Sequence, residues 1–181
     1  FACEPLETPF VKRTLALREE LVKASADFEY LGRKGTVAHF VVGFDGPLTV
    51  AAILFGADIF TLLALDADKA RELLLHITHA AAERTKALRR LAGQPEITQG
   101  CGLADDSIQL ISGQMLEDIV LPAHELWYRE MSTSTPESKN RSLHCCGDGT
   151  RHFKQLRDKT GVYAFDTGFP VDHGWLRTEL G

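Results

Sequence analysis

The spacing of apolar positions separates the chain into helical and extended stretches. From Asp66 to Ala92, the residues Ala70, Leu73, Leu74, Ile77, Ala81 and Leu88 recur on one side of a helix, the period of an amphipathic helix seated on a core. Asp66 and Asp68 open this stretch, and Arg84, Lys86, Arg89 and Arg90 close it. Those are the signs of charge that the helix dipole favours at each end. Gly93 and Pro95 stop it. A second helix is expected after Ser112, a suitable N-cap, with Met115, Leu116, Ile119, Val120, Leu126 and Trp127 apolar and a kink at Pro122. Residues 150–159 predict a third, with Phe153 and Leu156 inward and Gly161 just beyond it. Residues 10–24 predict another near the start.

Four shorter stretches predict strands: residues 36–44, 96–103, 141–146 and 162–166. Short strands closed by Gly or Pro fit buried parallel strands. Their alternation with helices implies parallel pairing through right-handed crossovers, an α/β fold. The polar segment 131–140 (MSTSTPESKN) is short enough to be a loop, so residues 1–181 are read as one domain.

Composition narrows the classes. Of 181 residues, 44% are hydrophobic and 25% charged, as in ordinary globular domains. A net charge of −5 with dispersed Lys and Arg opposes a nucleic-acid partner. No apolar run approaches the ~20 residues that span a bilayer, so no membrane partner is expected. Cys3, Cys101, Cys145 and Cys146 do not make a disulfide framework, which points to a reducing, cytoplasmic setting.

The sharpest local chemistry is Leu143-His144-Cys145-Cys146-Gly147-Asp148. Residues two apart in a strand share a face, so His144 and Cys146 point together and Cys145 points away. Imidazole nitrogen and thiolate sulfur are preferred zinc ligands. The C-terminal end of a strand, before a Gly-rich turn, is where α/β barrels and open sheets carry chemistry. A buried Cys pair with a packed histidine fits the same spacing. Asp105 and Asp106 come after the second strand as candidate catalytic carboxylates, or as turn formers and caps for the next helix. Asp166 ends the fourth strand and is a candidate third metal ligand at the same centre. Gly43, Phe44 and Gly46 form a strand-to-helix corner whose backbone could approach a ligand or cofactor; a purely structural corner is the alternative. That corner is neither a dinucleotide fingerprint nor a P-loop. His76 and His79 read as a solvated helix face, His39 as a packed strand residue, and His152 and His173 as residues near a site mouth.

In their order along the chain, these motifs resemble one superfamily. Gly43-Phe44-Asp45-Gly46-Pro47-Leu48-Thr49-Val50 is similar to the Gly-Phe-small-x-Pro-aromatic-Thr-Leu signature of uroporphyrinogen decarboxylases and their relatives. Residues 103–122 resemble that superfamily's Asp-Asp, Leu-Ile-Ser-Pro and Val-Leu-Pro stretch, with Gly113 where Pro is usual. His144-Cys145-Cys146-Gly147-Asp148 resembles its His-x-Cys-Gly-Asp strand end. The resemblance covers the chain from about Val37 onward. It implies a parallel (β/α) TIM-barrel type of fold, of which 181 residues hold only part, since a whole barrel runs to ~250 residues.

Within the superfamily, the resemblance favours the corrinoid methyltransferase branch. That branch implies zinc on His144 and Cys146, a corrinoid as methyl donor or acceptor, and a small thiol substrate. A corrinoid protein is an implied partner. The decarboxylase branch, acting on a carboxylate substrate, carries a tyrosine where Ile53 stands and an aromatic residue where Leu48 stands. Its Arg-rich substrate signature is expected before Phe1, and the distant zinc Cys of the methyltransferases after Gly181, so the chain is expected to be cut at both ends. A non-catalytic half-barrel subunit is a further reading; its open strand edges would favour association, including a homo-oligomer.

Overall fold

The computed structural model describes residues 4–39 and 43–180. They pack as two compact units, where the sequence suggested one: residues 4–39 with 83–96, and residues 43–82 with 97–180.

In the first unit, α1 (Pro9–Ser25) starts at Thr8, whose hydroxyl accepts from the Val11 amide at 3.3 Å. Val11 is its one buried residue. A short hairpin comes next, β1 (Glu29–Tyr30) antiparallel to β2 (Arg33–Lys34). Leu31 and Gly32 turn it with φ of 50° and 74°, the paired positive φ of a tight hairpin turn. The patterns at residues 29–34 are too short to predict it. The expected strand over 36–44 falls partly on residues 40–42, outside the described residues; its flanks, 36–39 and 43–44, form no strand.

The second unit contains α2 (Pro47–Phe55), α3 (Asp58–Leu65), most of α4 (Ala67–Leu91), β3 (Cys101–Ala104) and a 3-10 turn (Asp106–Leu110). Then come α5 (Gly113–Met115), a π-helical turn (Leu116–Val120), α6 (Leu121–Met131), β4 (Arg141–Cys145), α7 (Thr150–Thr160), β5 (Val162–Thr167) and α8 (His173–Leu180). Ser112 caps α5 as expected, accepting from the Met115 amide. β3 begins at Cys101, later than expected, because Thr98 is drawn off to bridge Ser132 and its hydroxyl donates to the Gly100 carbonyl.

The strands form one parallel sheet in the order β3-β4-β5. The unit is therefore mixed α/β with three parallel strands, and no closed barrel forms among the described residues. Along β4, Arg141, Leu143 and Cys145 are buried while Ser142 and His144 are part-exposed, the alternation of a sheet with helices on one face. Leu103, Leu116, Ile119, Tyr128, Leu143 and Phe153 fill the core on that face. α6 is pinned to the sheet by hydrogen bonds as well as apolar packing: Trp127 Nε1 donates to the Gly102 carbonyl and the Tyr128 hydroxyl to the Ser142 carbonyl, each at 2.9 Å. At the start of β4 the buried Arg141 guanidinium forks onto Glu125 and also donates to the Ser134 and Thr160 carbonyls. That satisfies a charge whose burial would otherwise be costly. Among the described residues no single helix is long and apolar enough to cross a membrane.

Candidate metal centre

Because the sheet is parallel, β3, β4 and β5 all deliver their C-terminal ends to one edge of the unit. The register sets Ala104 beside His144, and His144 beside Asp166. The residues just past β3 and β4 therefore meet where the strands stop. His144 Nδ1 lies 2.8 Å from Asp166 Oδ2, and His144 Nε2 lies 2.8 Å from Cys146 Sγ. Asp106 Oδ1 accepts the Cys146 amide at 2.6 Å and stands 3.9 Å from His144 Nε2. The ligand atoms of Asp106, His144 and Cys146 all lie within 4.8 Å of one another.

These contacts define the imidazole's role. A carboxylate at Asp166 can only accept, so the Nδ1 contact suits a ring with its proton on Nδ1, and Nε2, on the Cys146 side, is then the nitrogen that could bind a metal. This is the tautomer of a histidine that binds metal through Nε2 while a carboxylate holds its other nitrogen. Asp166 thus sits on the far edge of the ring from Cys146. The oxygen that shares the Nε2 and Sγ side is that of Asp106, which sequence reasoning had placed among catalytic candidates.

Tetrahedral zinc, with bonds of about 2.0–2.3 Å, sets its ligand atoms roughly 3.3–3.7 Å apart. One nitrogen, one sulfur and one oxygen clustered within 4.8 Å fit that demand, needing only a slight opening of the His144–Cys146 contact. The chemistry of the cysteine agrees. Partial desolvation, then the negative charges of Asp106 and Asp166, push the Cys146 thiol above its ordinary range. A cation at this point would reverse that preference. Next to the cluster, a cleft of about 330 Å³ is lined by Gly43, Gly102, Ala104, Ser142, His144 and Asp166, with Phe44 and Asp45 at its side. The small residues on this face of the sheet are what leave it open.

The other anticipated residues divide. Asp105 is fully buried, and its two oxygens take up four donors: the Leu48 amide at 3.4 Å, the Thr49 amide at 2.9 Å, the Thr49 hydroxyl at 2.8 Å and His124 Nε2 at 2.8 Å. A carboxylate has about four acceptor sites, so nothing remains for a substrate. Asp105 caps α2, the helix that starts at Pro47. Gly46, at φ 78°, is a structural corner, since a Cβ there would meet the Ala104 carbonyl at 2.2 Å. Phe44 is buried against Trp127, ring centroids 4.5 Å apart, and its carbonyl accepts the Ala104 amide. Gly43 borders the cleft. His152 is buried rather than at a mouth, with Nε2 3.1 Å from the Ile111 carbonyl. His173 bonds Thr167, and His76 and His39 are exposed.

Sequence reasoning missed His124, whose signal was a histidine set among Ile119, Val120, Ala123 and Trp127 on an apolar helix face. It also left Thr49 without a role of its own. Comparison of the chain with protein-family models, with curated proteins and with solved structures finds no match in any of the three.

Proposed function

We propose that this protein is a zinc-dependent enzyme of the thiol-methylating kind, with Asp106, His144 and Cys146 holding the ion beside the cleft. The single observation that carries the reading is the convergence of these three donors at the C-terminal edge of a parallel sheet, next to open volume. Zinc bound there would supply a Lewis acid that lowers the pKa of a thiol in the cleft. Asp166 orients the His144 ring, and Gly102, Ala104 and Ser142 leave room for a small thiol. The methyl partner is a corrinoid, free or protein-borne, and the sheet is part of a (β/α) barrel; both are implied by the resemblance of residues 43–50, 103–122 and 144–148.

The decarboxylase alternative is less well supported. The cleft carries Asp45 and Asp166 and, among its described lining residues, neither Lys nor Arg to receive a polycarboxylate. Ile53 offers no hydroxyl and points largely to solvent.

A second reading has one observation in its favour. Cys146 Sγ, the His144 ring and Asp166 stand in the order nucleophile, base and orienting carboxylate, each contact 2.8 Å. Asp106 beside the thiol opposes it, since its charge disfavours the thiolate.

Metal analysis and methylcobalamin-dependent methylation of a small thiol test the proposal together. Stoichiometric zinc and turnover are expected, both lost in Cys146→Ser and Asp106→Ala and both kept in Cys145→Ser. Absence of zinc from the unsubstituted protein, with activity that chelators leave intact, would favour the nucleophile instead.

A further inference from the structure

Asp105 and Asp106 are adjacent, yet one is locked in the core and the other faces the donor cluster. That division depends on how firmly the turn between them is held. Before the turn, the Asp105 amide donates to the His144 carbonyl at 2.9 Å. After it, the Ser107 amide donates to the Thr49 hydroxyl at 2.9 Å. The same hydroxyl donates its own proton to Asp105 Oδ1 at 2.8 Å, and the Thr49 amide reaches that oxygen too. On the other carboxylate oxygen, His124 Nε2 completes the lock from α6. Thr49 therefore ties together the residues on both sides of Asp106, donating to one and accepting from the other.

We infer that Thr49 is a positioning residue: its hydroxyl, working through Asp105 and Ser107, aims the Asp106 carboxylate at Cys146 and His144. The inference rests on the reading of Asp106 as a ligand for its functional meaning, though the aim itself is visible without metal in the bond from the Cys146 amide to Asp106. A hydroxyl is needed because only a group that both donates and accepts can serve an acceptor-only carboxylate and a backbone N–H at once. Val at this position matches the shape of Thr and does neither; Ser does both. Outer partners of metal ligands commonly affect affinity by about 10–100-fold.

Thr49→Val, Thr49→Ala and Thr49→Ser, with Asp106→Ala as reference, separate this role from general stability. Two readouts are taken on each folded protein: zinc affinity, and the amide-proton chemical shift of Cys146 without metal. For Thr49→Val we expect zinc affinity to fall about tenfold or more and the Cys146 amide to move towards its position in Asp106→Ala. Thr49→Ala, which adds no methyl to a polar site, should behave alike should the Val variant not fold. Thr49→Ser should restore both. A Cys146 amide unmoved in Thr49→Val and Thr49→Ala overturns the inference, whatever the metal does. Absence of zinc binding from the unsubstituted protein removes the metal reading alone, and the amide shifts still decide whether Thr49 aims Asp106.

Discussion

Burial pushes the Cys145 thiol up to about 11 from an ordinary 9.0, whereas its neighbour Cys146 is exposed and raised chiefly by partial desolvation and by Asp106. The first shift has a consequence for stability. Between about pH 9 and 11 the unfolded chain has released the Cys145 proton while the folded chain retains it. The folded state then binds more protons, and stability falls as pH rises through that window. The buried Tyr128 phenol, raised mainly by desolvation, acts in the same direction at still higher pH. Urea denaturation across pH 8–11 should show this decline, with a shallower slope in Cys145→Ala. At pH 8.5, in the folded protein freed of metal by a chelator, iodoacetamide should label Cys146 and spare Cys145, as peptide mass mapping would record. Equal labelling would contradict the opposite facing of the two side chains.

The irregular helix from Gly113 to Met131 illustrates how a local rule and a distant partner combine. Pro122 has no N–H for the Asp118 carbonyl, and its ring would crowd that carbonyl in a regular α-helix. The chain responds with a π-helical turn over Leu116–Val120, closed by the Leu121 amide on the Leu116 carbonyl, five residues back. The Asp118 carbonyl is not left unmet: Arg71 Nε, from α4, donates to it at 2.7 Å. Arg71→Met should therefore cost about 1 kcal/mol by chemical denaturation. In a Pro122→Ala background the cost should be smaller, because residue 122 regains an N–H that can serve Asp118. Strictly additive effects of the two substitutions would refute this coupling.

Across the whole molecule, apolar burial is unevenly spread. In the second unit, α6 alone buries Leu121, Ala123, Trp127, Tyr128 and Met131. In the first, α1 buries Val11 while Phe10, Leu17, Leu21 and Val22 remain exposed. Helices with few buried contacts open by local fluctuations, at a free energy below that of global unfolding. Amides of α1 are expected to exchange with solvent about a hundredfold or more faster than those of β4 and α6, measured by hydrogen exchange in native conditions. Comparable protection in α1 and α6 would show that α1 is stabilised by something other than its own buried surface.

Part of the helical framework was legible in the pattern of residues: α1, α4, α5–α6 and α7 lie within a few residues of where apolar spacing, Ser112, Pro122 and Gly161 put them, whereas the bounds of α2, α3 and α8 were not. That His144 and Cys146 come together was legible too, although β4 stops at Cys145 and Cys146 reaches the ring from the bend just beyond the strand. Asp105 and Asp106 were not separable in this way. Both are acidic, both lie just past the same strand, and either could cap or coordinate. They are divided by the parallel register of β3 on β4, the seating of α2 against the end of β3, and a histidine on α6 nineteen residues away. Buried carboxylates find their hydrogen-bond donors through packing between elements distant in sequence. Periodicity along the chain carries no record of those distances, so the core anchor and the outward ligand candidate became distinct only once the sheet and its helices were assembled.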